Sequence, residues 1–191
     1  MNIILAGYPG SQKLVPVSKY LIEKYLPGFR VRYLNYQGPI EKWSQFVFNE
    51  VWFGADDEKI IFGLDDYLIR DYIDMKRYEE AIAMDADCIK LCPSTEEEHK
   101  EYPVTTQYGI WKRKSLAKLL FVTHSPWDFE ITGSKLYKGE KTRILYEPCE
   151  YKSLLHTCID YDNHSALSSR WDGIRLDGLK AEDLAVIKTL L

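Results

Sequence analysis

Three times in its first 92 residues the chain passes from a short apolar run, through a turn, into apolar residues at helical spacing. That alternation restricts the fold more than any other feature. Residues 1–6 are apolar and end at Gly7-Tyr8-Pro9-Gly10, which reads as a buried strand entering a tight turn. Leu14, Val17, Leu21 and Tyr25 then recur on one helical face, with Pro16 placed where a first turn tolerates it and Pro27-Gly28 ending the pattern. Residues 29–34 alternate with period two until Gln37-Gly38-Pro39, and Trp43, Phe46, Val47 and Val51 mark a second helix closing near Gly54. Residues 59–64 form a compact apolar run of the kind buried on both faces of a parallel sheet. A third helix is expected from Asp74, a good N-cap, through Tyr78 and Ile82 to Met84, and residues 87–91 read as a fourth strand. Strand and helix in regular alternation call for a mostly parallel α/β sheet with right-handed crossovers and helices on its faces.

The second half is less regular. Residues 96–101 form an acidic polar loop, helical spacing resumes from Trp111 through Leu116 and Leu120 to Phe121, and a strand is expected at 143–146. Residues 151–170 are ambiguous, and Leu184, Ile187 and Leu191 mark a closing helix. No repeat or linker interrupts the chain, so a single domain over 1–191 is expected. With 25 basic against 29 acidic side chains it has no overall attraction for nucleic acid or anionic lipid. Lys112-Arg113-Lys114 and the lysines of 135–141 are left as a local basic rim. No apolar run is long enough to cross a bilayer, and the N-terminus lacks the marks of a signal peptide, so a soluble, cytoplasmic protein is expected. Cys88, Cys92, Cys149 and Cys158 match neither a disulfide framework nor a zinc pattern, and read as reduced thiols. The 14 tyrosines and 5 tryptophans exceed the ordinary demand of a core and give weight to a sugar or nucleotide ligand, whose flat rings stack on such side chains.

Several stretches carry candidate chemistry. Gly7 to Lys13 lies between a strand and a helix, where backbone N–H groups can face an anion, yet it has neither P-loop nor dinucleotide-fingerprint spacing. Asp65-Asp66 directly follows the apolar strand. In an open parallel sheet ligands bind beyond the strands' carboxyl ends, so the pair stands where a carboxylate would hold a divalent cation and a diphosphate. Asp128 and Glu130 are fenced by Trp127 and Phe129; if the segment is extended they point opposite ways, and one of them is a candidate general base. His156 and His164, with Asp160 and Asp162 between them, have only weak metal-ligand spacing, while Arg170-Trp171 is a candidate phosphate and sugar contact.

The order of these parts resembles the GT-A glycosyltransferases in a compact form found in bacteria and phages. The resemblance rests on the Gly7–Ser11 turn, Asn35-Tyr36-Gln37-Gly38 with Lys42-Trp43-Ser44, residues 62–67, residues 108–113 and residues 126–130. It implies a Rossmann-like sheet whose first half, 1–92, binds a nucleotide-sugar and whose second half, 93–191, faces the acceptor. Asp65 and Asp66 then fall at the family's D-x-D position, with Tyr67 in the third place, and would hold Mn²⁺ or Mg²⁺. Gly7, Tyr8 and Tyr36 fall near the nucleotide, Gln107 and Trp111 near donor sugar and acceptor, and Glu130, with Asp128 close behind, at the late carboxylate. The implied reaction moves a sugar from a nucleoside diphosphate to an acceptor hydroxyl on a polysaccharide, a small molecule or a modified DNA base. A binding module without catalysis and a nucleotide-dependent phosphotransferase stay open on the residues alone.

Overall fold

The apolar runs that end in turn residues become strands, and the intervening stripes fold back over them as helices. In the computed structural model the described residues are 2–92, 100–139, 144–145, 176 and 179–191. Strand β1 (Asn2–Ala6) leads through a 3₁₀ turn at Ser11–Leu14 into α1 (Val15–Tyr25), with Pro16 in its first turn where no N–H is needed. Strand β2 (Arg30–Leu34) leads through a second 3₁₀ turn into α2 (Trp43–Gly54). Strand β3 (Lys59–Leu64) is followed by an irregular stretch and α3 (Met75–Ala83), whose N-cap Asp74 accepts the N–H of Arg77 as expected. Then come β4 (Cys88–Lys90), β5 (Gly109–Lys112), α4 (Arg113–Val122), α5 (Pro126–Gly139), β6 (Ile144–Leu145) and α6 (Ala181–Leu190).

Among the described residues the strands form one six-stranded sheet in the order β2-β1-β3-β5-β4-β6. β1 is parallel to β2 and β3, β4 is parallel to β6, and β5 is antiparallel to both its neighbours. Every strand except β5 therefore runs the same way, which makes the sheet mostly parallel with one reversed strand near its middle. The edge strand β2 exposes Arg30 and Arg32, charges that discourage pairing with a further chain.

Two sequence expectations are corrected here. The helix expected from Trp111 begins only at Arg113, because Trp111 belongs to β5. Lys112 and Arg113 are adjacent, with no turn residue to separate strand from helix. Residues 126–130, read as extended, form the first turn of α5. Ser125 Oγ accepts the N–H of Asp128 at 3.1 Å, Pro126 opens the helix, and Asp128 Oδ2 accepts the N–H of His124 at 2.8 Å. This is a capping arrangement written in the sequence as Ser-Pro-Trp-Asp.

The core absorbs many of the aromatic residues: Trp43, Trp111, Tyr25, Tyr108, Phe62 and Phe129 are all wholly buried. Cys88 and Cys92 are buried free thiols, and burial pushes the Cys88 thiol well up from its ordinary value. Among the described residues no helix is long and apolar enough to cross a membrane. His156, His164, Cys149 and Cys158 lie outside the described residues.

Candidate active site

The register places Ala6 beside Leu64, so the turn leaving β1 and the acids leaving β3 share the carboxyl edge of the sheet. Gly7 donates its N–H to Leu34 O at 2.8 Å and takes the Trp43 indole N–H on its own carbonyl at 2.9 Å. Only glycine fits there. A Cβ would stand 2.8 Å from Asp65 Oδ2 and 3.1 Å from Leu34 O. Gly10, at φ 100°, lets the chain double back so that Ser11 Oγ accepts the Tyr8 N–H at 3.0 Å and reaches Asp65 Oδ2 at 2.9 Å. From α1, Ser18 donates to the carbonyl of Asp65, and the Tyr8 hydroxyl donates to Asp66 Oδ2 at 2.8 Å. The β1 turn thus roofs both acids, one through Ser11 and the other through Tyr8.

Asp65 and Asp66 are 2% and 1% exposed. Burial, and then the neighbouring charge of Asp66, pushes the Asp65 carboxyl up to about 7, against the opposing effect of the Ser11 hydrogen bond. Its Oδ1 is buried and accepts no hydrogen bond. An ordinary carboxyl loses its proton near pH 4, so the unfolded chain ionises first. The folded state is therefore weakened relative to the unfolded one as pH rises from about 4 to 7. Asp65→Asn removes that penalty. In chelator-treated protein the variant should melt with its parent at pH 4 and above it at pH 8, by about 4 kcal/mol or roughly 8–16 °C. A melting difference that stays constant between the two pH values would show that Asp65 is not held in this way.

On the β2 side, Asp65 lines a cleft of about 290 Å³ together with Gln12, Pro16, Tyr33, Leu34 and Asn35. On the β5 side, Leu64 donates to Thr106 O at 3.1 Å, which ties the segment entering β5 to the same edge. Glu130 Oε1 accepts the Thr106 N–H and hydroxyl, each at 2.7 Å, and the Thr105 hydroxyl at 3.3 Å. Tyr67 is buried at the same edge, just beyond β3. Its phenol is pushed well up by burial, with further increments from Glu130 and Asp66. The two carboxylates therefore act on one phenol from different elements.

The sequence candidates separate on this framework. Gly7, Tyr8, Asp65 and Asp66 come together at the rim of β1 and β3. Gln107 is buried, with its N–H on Thr105 Oγ1 at 3.2 Å, and enters from the β5 side next to Glu130's partners. Tyr36 lies in the turn after β2, its ring against Phe46 and its hydroxyl on Pro39 O at 2.6 Å. Trp111 is not at the edge. Because β5 runs backwards, its side chains recede from the rim as the chain proceeds, and Trp111 pairs with Ile60 near the far end of β3. Its ring is 1% exposed and edge-on to Phe129, so it is a core residue rather than a donor-sugar or acceptor contact. Asp128 commits both oxygens to its own helix terminus, through His124 and Thr132. Arg170 lies outside the described residues. Sequence reasoning missed Ser18, Thr105 and Thr106, while Ser11 and Tyr67 stood inside stretches already singled out without a role of their own.

A divalent cation fits the acids on chemical grounds. Adjacent buried carboxylates repel one another, and one oxygen of Asp65 lacks any donor, a situation that positive charge relieves. Among the described residues no group of three or more His, Cys, Asp and Glu side chains converges. Two protein carboxylates are sufficient where phosphate and water complete the shell.

No family model matches the sequence, and no curated protein matches it. Solved structures do resemble it. A glycosyltransferase involved in the glycosylation of the major capsid of PBCV-1 superposes with a TM-score of 0.50 at 16% identity, over 77% of this chain and 81% of that one. A Bacillus anthracis protein assigned as a glucose-1-phosphate thymidylyltransferase and crystallised with sucrose gives 0.49 at 15% identity, over 82% and 89%. HddC from Yersinia pseudotuberculosis gives 0.42 at 14% identity, over 77% and 69%. The likeness to the first is one of fold: a GT-A-like α/β sheet, open and flanked by helices.

Proposed function

We propose that the protein transfers a sugar from a nucleoside-diphosphate sugar to an acceptor hydroxyl. The observation that carries this reading is the buried Asp65–Asp66 pair at the carboxyl end of β3, roofed by the Gly7–Ser11 turn and opening through Asp65 onto the cleft beside β2. The likeness in fold to a glycosyltransferase supports it. In this reading the cleft takes the nucleoside, with Asp65 accepting a hydroxyl or N–H that supplies its missing hydrogen bond. Asp66, oriented by Tyr8, faces the diphosphate. Asp66, with Asp65 beside it, would hold a divalent cation, Mg²⁺ or Mn²⁺, whose positive charge would offset the negative charge of the departing diphosphate.

Glu130 is the candidate base. Its Oε1 is occupied by Thr105 and Thr106, so Oε2 accepts the acceptor's proton. As that proton leaves, the acceptor oxygen forms its bond to the anomeric carbon, and the bond to the diphosphate oxygen breaks with its electron pair going to the diphosphate. A single displacement of this kind inverts the anomeric centre, and a product with the donor's configuration would exclude it.

The test is a melting screen of nucleoside-diphosphate sugars with and without Mn²⁺. A cognate donor at about a hundred times its Kd stabilises the folded state by ~2.7 kcal/mol. That corresponds to a rise of roughly 5–10 °C for a chain of this size. A panel covering uridine, guanosine, thymidine and cytidine diphosphate sugars that leaves the melting temperature unmoved, while ATP raises it, would transfer the assignment to phosphotransfer.

A further inference from the structure

Trp127 is 58% exposed at the first turn of α5 and makes no hydrogen bond or ring contact among the described residues. Buried Phe129 and Ser134 fix the orientation of that helix, and Glu130 turns toward Thr105 and Thr106. Trp127 stands three residues before Glu130, about 60° away around the helix, with roughly 5–6 Å between their Cβ atoms. Ile131, 45% exposed, extends the same apolar surface by one turn. This part of α5 lies at the functional edge, since the neighbouring His124 carbonyl accepts the N–H of Ser44 near the start of α2. It also lies across the sheet from the cleft, which is on the β2 side of Asp65, whereas Glu130 reaches the site from the β5 side.

We infer that Trp127 is the platform on which the acceptor docks, and that the acceptor is a carbohydrate presenting a pyranose face. The inference rests on the glycosyl-transfer reading for its placement. A pyranose carries an apolar, weakly electropositive face of axial C–H groups, which suits the negative face of an indole, and hydroxyls around its rim. A ring stacked on Trp127 places those hydroxyls within a helical turn of Glu130. A small polyol has no such face. Trp127 is thus an acceptor-binding residue, separate from the donor cleft.

The test follows the indole N–H resonance of Trp127, assigned by its loss in W127F, in protein with ¹⁵N-labelled tryptophan. It is titrated with methyl glycosides of glucose, galactose and mannose and with cellobiose. Glycerol and a hydroxymethylcytosine oligonucleotide serve as controls. A saturable shift with at least one glycoside and none with glycerol is expected. In transfer assays Trp127→Ala should raise the KM for that glycoside at least tenfold and leave donor hydrolysis without acceptor within twofold, with W127F restoring most of the loss. No shift with any glycoside, or a shift with the oligonucleotide instead, overturns the platform even if nucleotide sugars still raise the melting temperature. A glycoside shift without nucleotide-sugar stabilisation leaves the platform standing and removes the transfer reading.

Discussion

Asp66→Ala should lower sugar transfer by about 10²–10³-fold, the loss produced when a charge-stabilising group is taken from a transition state. Asp66 is singled out over Asp65 because the roof divides them. Asp65 faces Ser11 and the cleft, while Asp66 faces the Tyr8 hydroxyl. Asp66→Asn is the informative companion, since it keeps an acceptor for Tyr8 and removes only the charge. If charge is what matters, the two variants fall together and both lose the Mn²⁺-dependent part of donor stabilisation. Their melting temperatures should hold or rise, because removing one acid relieves the repulsion on Asp65. Transfer by Asp66→Asn within threefold of the parent rate would remove the acid pair from the mechanism.

The second large effect concerns stability and lies away from the site. Asp183 in α6 is wholly buried, yet it accepts the Tyr20 hydroxyl at 2.9 Å, the Lys24 ammonium at 2.7 Å and the Tyr25 hydroxyl, all from α1. Burial alone pushes its carboxyl up, but the hydrogen bonds of Lys24, Tyr25 and Tyr20 outweigh it and hold the group below its ordinary value. Asp183→Ala leaves the ammonium and two hydroxyls without their acceptor. We expect a loss of about 3 kcal/mol, the low end for a broken buried pair because Lys24 keeps part of its surface in water. The melting temperature should drop by roughly 6–12 °C. The contribution is complete above the unfolded carboxyl's range near pH 4 and is lost as pH falls through the lower folded value, so parent and variant converge in acid. Equal melting temperatures at pH 7 would mean that the contacts between α1 and α6 add nothing to stability.

What the sequence made legible follows from where its punctuation lies. Gly7 to Gly10, Pro27-Gly28 and Gln37-Gly38-Pro39 separate strands from helices, and there the structure follows the pattern closely. β5 is four residues long with no turn residue before α4, and nothing local encodes its reversed direction, so by spacing alone Trp111 reads as the start of a helical stripe. The α5 terminus was written plainly as Ser125-Pro126-Trp127-Asp128, but two acids between aromatics read as chemistry before they read as a cap. Ser11 meets Asp65 across 54 positions and Tyr20 meets Asp183 across 163, and periodicity carries no information about such pairs.

The reversal of β5 also decides where this scaffold can be rebuilt. β4 runs up to the rim that carries Asp65 and Asp66 and β5 leaves it, so both ends of the connection between Lys90 and Gly109 stand at that rim, outside the ladders of β4 and β5. The junction from β5 to α4 turns at the opposite edge with no residue to spare. Loop grafting aimed at new acceptors therefore belongs in the first connection, while length changes in the second would propagate into the register of the central strands.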